Sequence, residues 1–135
     1  MASTLSGHPA RFEGGLHEVA DGVFAWLQPN GGWGESNAGL VVGDDVGLLV
    51  DTLWDPFLTR AMLSAMVKRA PVPIRTLVNT HSDGDHVWGN QVLSGIEIVS
   101  TQAAAEIIRE EAPGGLVRSQ ALAPQLRRLG KLPLA

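Results

Sequence analysis

From Thr80 to His86 the sequence reads Thr-His-Ser-Asp-Gly-Asp-His, which places His81, Asp83, Asp85 and His86 within a six-residue stretch. All four side chains can bind a metal. Imidazole nitrogen and carboxylate oxygen together suit Zn²⁺ or iron, whereas Ca²⁺ prefers more oxygen ligands and no histidine. The stretch follows an apolar run, Ile74 to Val78, that reads as a buried strand. Strand tips of this kind are where α/β folds place their ligands. An extended stretch turning into a loop throws His81, Asp83 and Asp85 toward one side, with His86 beside Asp85 and Gly84 allowing a sharp turn. The competing reading is a solvated polar loop, since His-Ser-Asp-Gly-Asp is also ordinary turn composition. Two of the four histidines lie here, and the apolar strand anchors the loop, which favours a metal.

The elements that hold this loop are legible around it. Leu16 to Val19 and Val23 to Gln28 read as a hairpin across Ala20-Asp21-Gly22. Asn37 to Val42 and Val46 to Val50 form a second hairpin through Gly43-Asp44-Asp45. These last two strands are nearly continuous apolar runs, which predicts a sheet covered on both faces. Asp55-Pro56 predicts a helix start, with Phe57, Leu58, Ala61, Met62, Ala65 and Met66 at helical spacing and Lys68-Arg69 at its end. A short helical segment to about Leu93, a strand at Ile96 to Val99, a helix at Thr101 to Glu111 and a moderately helical stretch at Leu116 to Leu129 complete the pattern. The fold class is α/β, with an antiparallel part first and crossovers after it. Residues 1–14 read as a loose lead-in and 15–135 as one domain.

Composition excludes several functions. The absence of cysteine rules out disulfides, thiolate metal sites and a thiol nucleophile. A net charge of −4 with scattered Lys and Arg argues against nucleic-acid and anionic-membrane binding. The N-terminus lacks a basic-then-apolar signal and no apolar run is long enough to span a bilayer, so the expectation is a cytoplasmic protein. His8 and His17 read as incidental. Trp54 and Trp88 are expected to pack in the core.

The His-x-Asp-x-Asp-His pattern after Val78-Asn79-Thr80 resembles the His-x-His-x-Asp-His signature of the metallo-β-lactamase superfamily. The hairpin Glu18 to Phe24, the strand Ser36 to Val42, the strand Leu48-Leu49-Val50-Asp51-Thr52 and the pair Gly89-Asn90 also resemble that family, over roughly residues 16 to 112. The resemblance implies the N-terminal half of an αββα sandwich, one mixed sheet with helices on one face. It further implies that His81 ligates a first metal, with Asp83 at the next ligand position, and that Asp85 and His86 ligate a second. Asp85 would also orient an attacking hydroxide. By the same resemblance Asp51 supports the motif loop through hydrogen bonds; the alternative is a strand-end Asp capping the next turn. Trp33, in Gly31-Gly32-Trp33-Gly34, falls where relatives carry a flap over the substrate.

The implied activity is that of a metal-dependent hydrolase, a metal-bound hydroxide attacking an ester, amide or thioester-type bond of a small molecule. The implied cofactor is one or two Zn²⁺. Asp83 stands where the family usually has His, a harder ligand that admits iron or manganese. The family takes a further His, a bridging Asp and a last His from the second half of its fold, and this sequence has no His after His86 and no Asp after Asp85. Two alternatives follow: a catalytically inactive metal-binding or assembly module, and an iron-dependent oxidoreductase relative suggested by Asp83. An apolar sheet face left open over several hundred Å² forfeits on the order of 10 kcal/mol. That compares with a whole-domain margin of about 5–15 kcal/mol, so a homo-oligomer or a second half-domain is expected to cover it.

Overall fold

In the computed structural model, residues 13–28 and 36–111 are described. The lead-in as far as residue 12, Trp33 with its loop, and the Leu116 to Leu129 stretch lie outside the described residues. Strands β1 (Gly15–Ala20), β2 (Val23–Leu27), β3 (Ala38–Val42) and β4 (Gly47–Val50) precede helix α1 (Pro56–Arg69). Strand β5 (Ile74–Val78), the short helix α2 (Gly84–Val87), a 3₁₀ turn (Trp88–Val92), β6 (Glu97–Val99) and α3 (Gln102–Glu111) follow. The six strands form one sheet in chain order. It is antiparallel from β1 to β4 and parallel from β4 to β6, the mixed α/β arrangement expected. Both crossovers step in the same direction along the sheet, so right-handed connection puts their helices on one face.

The start of α1 is set by local chemistry. Asp55 Oδ1 accepts the backbone N–H of Phe57 at 2.7 Å and of Leu58 at 3.0 Å. Such a cap is worth about 1 kcal/mol. Pro56, with no N–H to leave unpaired, takes the first turn. The buried line of α1 is Thr59, Met62 and Met66, while Phe57 is 82% exposed and Ala61 is exposed, contrary to the predicted face. Thr59 explains the phase. Its hydroxyl donates to the Asp55 carbonyl at 2.9 Å and lies 3.3 Å from the Leu53 N–H, so this polar residue is held inward.

Cross-strand partners share a face. The row Phe24, Leu40, Leu49 and Leu77 is buried and packs with Met62 and Met66 as the core. The opposite face carries the row Ala25, Gly39, Val50, Val78 and Val99, and the row Val23, Val41, Leu48, Thr76 and Glu97. Val41 and Val99 are 42% and 41% exposed there, so among the described residues the sheet is covered on one face rather than two. The apolar runs report two apolar faces; they do not report what covers each. No helix among the described residues is long and apolar enough to cross a membrane.

Gly89 ties α1 to the loop beyond β5. A Cβ there would stand 2.2 Å from Thr59 Oγ1, 2.7 Å from the Leu53 carbonyl oxygen and 2.8 Å from Thr52 Cβ. Gly89→Ala is expected to lower folding stability by about 1–3 kcal/mol through overpacking against backbone. Urea denaturation reads this as a reduced midpoint at unchanged slope.

Candidate metal centre

Directly after β4 comes Asp51, whose backbone adopts φ +58°, a left-handed conformation uncommon for any residue but glycine. Such a conformation costs on the order of 1–3 kcal/mol and persists only where the surroundings impose it. Here the carboxylate imposes it. Buried at the tip of the sheet, Asp51 accepts the Thr80 N–H on Oδ1 at 2.8 Å and the Thr80 hydroxyl on Oδ2 at 2.7 Å. Oδ2 also accepts His86 Nδ1–H at 2.9 Å. One carboxylate thereby joins the ends of β4 and β5 to the helix that carries His86. Its bonds reach across to Thr80 and His86 rather than into its own turn.

The same bonds fix both imidazoles. An ionised carboxylate only accepts, so a neutral His86 ring bonded to it carries its proton on Nδ1 and keeps its lone pair on Nε2. Thr80 Oγ1 has a single proton, and it goes to Asp51. The 2.7 Å contact between Thr80 Oγ1 and His81 Nδ1 therefore has His81 donating, and in the neutral ring the lone pair is again on Nε2. The two rings lie with centroids 4.0 Å apart. Asp51, His81 and His86 each offer a ligand atom within 4.8 Å of the others.

The carboxylates of the loop stand beside these nitrogens. Asp85 Oδ2 is 3.5 Å from His86 Nε2, and Asp83 Oδ2 is 3.7 Å from His81 Nε2. Ligands of a tetrahedral ion at about 2.0–2.1 Å stand about 3.3–3.4 Å from each other. Both separations are near that edge length, so the donors present could hold a small divalent cation. Asp83 is the outlying member, its side chain 74% exposed against 31% for Asp85. Alternation along an extended loop does not produce this arrangement, because α2 begins at Gly84 and the helical turn swings His86 back toward His81. Gly84 is needed for space: a Cβ would stand 2.4 Å from the Trp88 ring.

Several positioning residues escaped the sequence reading. The His86 carbonyl accepts the Thr52 N–H at 2.9 Å and the Asn79 amide at 3.0 Å. The Thr52 hydroxyl lies between that carbonyl, at 3.1 Å, and Asn90 Oδ1, at 2.8 Å. Asn90 Nδ2 in turn donates to Asn79 Oδ1 at 2.7 Å. Ser36 Oγ donates to the Asp85 carbonyl. The available signal was the polar residues Thr52 and Asn79 directly after apolar strands, since a buried polar side chain implies a partner. Trp54 and Trp88 are not core residues: they stack on each other at 5.8 Å, and Trp54 is 42% exposed. The Gln28 N–H donates to Asn37 Oδ1 at 3.0 Å.

A profile of the metallo-beta-lactamase superfamily matches residues 31–133. The fold is similar to that of a metallo-β-lactamase from Hirschia baltica, with a TM-score of 0.61 and 23% identity over 72% of this chain and 47% of that one. The metallo-β-lactamase FIM-1 of Pseudomonas aeruginosa, solved in its mono-zinc form, gives 0.61 and 24% over 77% and 49%. A metallo-β-lactamase from Erythrobacter litoralis, with β-mercaptoethanol in its active site, gives 0.57 and 28% over 72% and 45%. The chain thus spans about half the length of these solved structures.

Replacing Thr80 tests the hydroxyl bridge. Thr80→Val keeps the shape and the backbone N–H but removes the group that orients His81. Loss of such a supporting bond typically weakens metal affinity about 10–100-fold. Competition with a chromogenic chelator is expected to show a loss of this size for Thr80→Val and near-complete recovery for Thr80→Ser.

Proposed function

The chain belongs to the metallo-β-lactamase superfamily, and from that premise we propose that it is a metal-dependent hydrolase acting on an ester, amide or thioester-type bond of a small molecule. The observation that carries this reading is the Asp51–Thr80 bridge, which engages Nδ1 of both His81 and His86 and accompanies a group of Asp51, His81 and His86 whose ligand atoms lie within 4.8 Å of one another. In the proposal these two nitrogens hold Zn²⁺, with Asp85 and Asp83 as the neighbouring oxygen donors. A bound divalent cation supplies Lewis acidity and a water that ionises near neutral pH.

The chain's own groups then have distinct tasks. His81 and His86, each tied at Nδ1, fix where the ion sits. Asp85, part-buried and held through its carbonyl by Ser36, accepts a hydrogen bond from the attacking water and aims it. The stacked Trp54 and Trp88 offer an apolar surface at the end of the same strands. Trp33 completes the proposal as a flap residue over the substrate. Because the solved neighbours are named as metallo-β-lactamases, a β-lactam amide belongs in the substrate panel.

A second reading is favoured by Asp83. Its exposed carboxylate is a harder donor than imidazole and suits iron or manganese, as in an oxidoreductase relative. A third is metal binding without turnover, for which the Asp51, His81 and His86 group suffices.

The chain is reconstituted separately with Zn²⁺, Fe²⁺ and Mn²⁺, and its metal content is measured beside hydrolysis of chromogenic ester, thioester and β-lactam substrates. Stoichiometric Zn²⁺ with turnover is expected, both lost in His86→Ala. Asp85→Asn is expected to lower kcat by about 10²-fold or more. Metal without turnover selects the binding module, and preferential iron uptake with oxygen consumption selects the oxidoreductase.

A further inference from the structure

The two kinds of donor in the loop are held by different means. His81 and His86 are fixed through Nδ1 by the Asp51–Thr80 bridge. Asp83 precedes α2 but makes no side-chain capping bond to it. Among the described residues the Asp83 and Asp85 carboxylates find only the imidazole nitrogens, at 3.7 and 3.5 Å. What places these two carboxylates is therefore the backbone between them, and that is Gly84.

Trp88 holds Gly84 twice. Its backbone N–H donates to the Gly84 carbonyl, closing the turn of α2. Its ring lies against the glycine: a Cβ there would stand 2.4, 2.6 and 2.7 Å from Cε2, Cζ2 and Cδ2 of the indole. Three consecutive ring atoms at nearly equal distances put that point over the face of the ring rather than at its edge. The ring is anchored in turn. Trp54 stacks on it at 5.8 Å and 29°. The next residue, Gly89, is pressed against Thr52 and the Leu53 carbonyl. The segment Thr52 to Trp54 after β4 thus braces Trp88 through both side chain and backbone. We infer that Trp88 is a positioning residue for the oxygen donors: its indole face fixes Gly84, and through it where the Asp83 and Asp85 carboxylates stand relative to Nε2 of His81 and His86. The inference rests on the metal-site reading above and divides the labour within it, hydrogen bonds holding the nitrogen donors and aromatic packing the oxygen donors. Flatness matters here. A Phe ring can lie against Gly84 as the indole does, whereas a Leu side chain is apolar but leaves a gap.

The probe is Zn²⁺ alone, titrated into the intact chain against a chromogenic chelator. Trp88→Leu is expected to weaken binding about tenfold or more, the size of a lost ligand support, and Trp88→Phe to recover most of it. In an Asp83→Asn/Asp85→Asn background, where Zn²⁺ rests on the imidazoles, Trp88→Leu is expected to change affinity by less than about twofold, because the partners it acts through are gone. An equal loss in both backgrounds overturns the inference, since the ring would then support the whole loop. So does a Trp88→Leu chain that binds Zn²⁺ as tightly as the unaltered one. Amide hydrogen exchange of the metal-free chain gives an independent reading. Trp88→Leu is expected to speed exchange several-fold at His86, whose N–H is bonded to the Asp83 carbonyl, and to leave Thr80, bonded to Asp51, unchanged. Equal acceleration at both sites, or none at His86, overturns the inference. Should Trp88→Leu unfold by circular dichroism, Gly84→Ala, whose added Cβ must displace the ring, takes its place with the same expectations. An unaltered chain that takes up no Zn²⁺ sinks the metal reading, while the exchange pattern still decides whether the ring holds the turn.

Discussion

A single carboxylate, that of Asp51, holds the end of β4, the tip of β5 and the helix bearing His86 in one place. Its two oxygens take three hydrogen bonds, each from a donor on another piece of chain. Buried charge-assisted bonds of this type are about twice as strong as neutral ones. Together they offset the left-handed backbone of Asp51 and the burial of its charge. The geometry of both imidazoles follows from this group, because an acceptor that cannot donate dictates where every neighbouring proton must go.

Around that carboxylate, the bonds that fold the strand tips are also the bonds that shape the site. The His86 carbonyl is gripped from β4 by Thr52 and from β5 by Asn79, and Asn90 closes the ring from the 3₁₀ turn. Gly89 lets that turn press against α1, whose own inward polar residue, Thr59, lies at the contact. Rigid elements therefore position the loop of His81 and His86 from three sides. A loop so held presents its donors with little further loss of conformational freedom when an ion arrives.

The remainder of the sheet has a simpler energetic problem. One face is buried under α1, and the other carries valines and leucines of comparable hydrophobicity with no described element on top. The chain spans about half the length of the structures it resembles.

The sequence alone determined the elements and the reactive loop. Asp55-Pro56 set the start of α1, turn residues bounded both hairpins, and the His and Asp spacing after Ile74 to Val78 picked out His81 and His86, which the structure brings together with Asp51. These are local signals, carried by propensity and short-range hydrogen bonds. Tertiary structure decided the rest. The inward side of α1 was set by Thr59 bonding to Leu53 and Asp55, not by the apolar Phe57. The convergence of His81 and His86 came from the helical turn at Gly84 and from a carboxylate twenty-nine residues before Thr80. Periodicity cannot reveal such choices, because they depend on which distant donor meets which acceptor once the strands lie side by side.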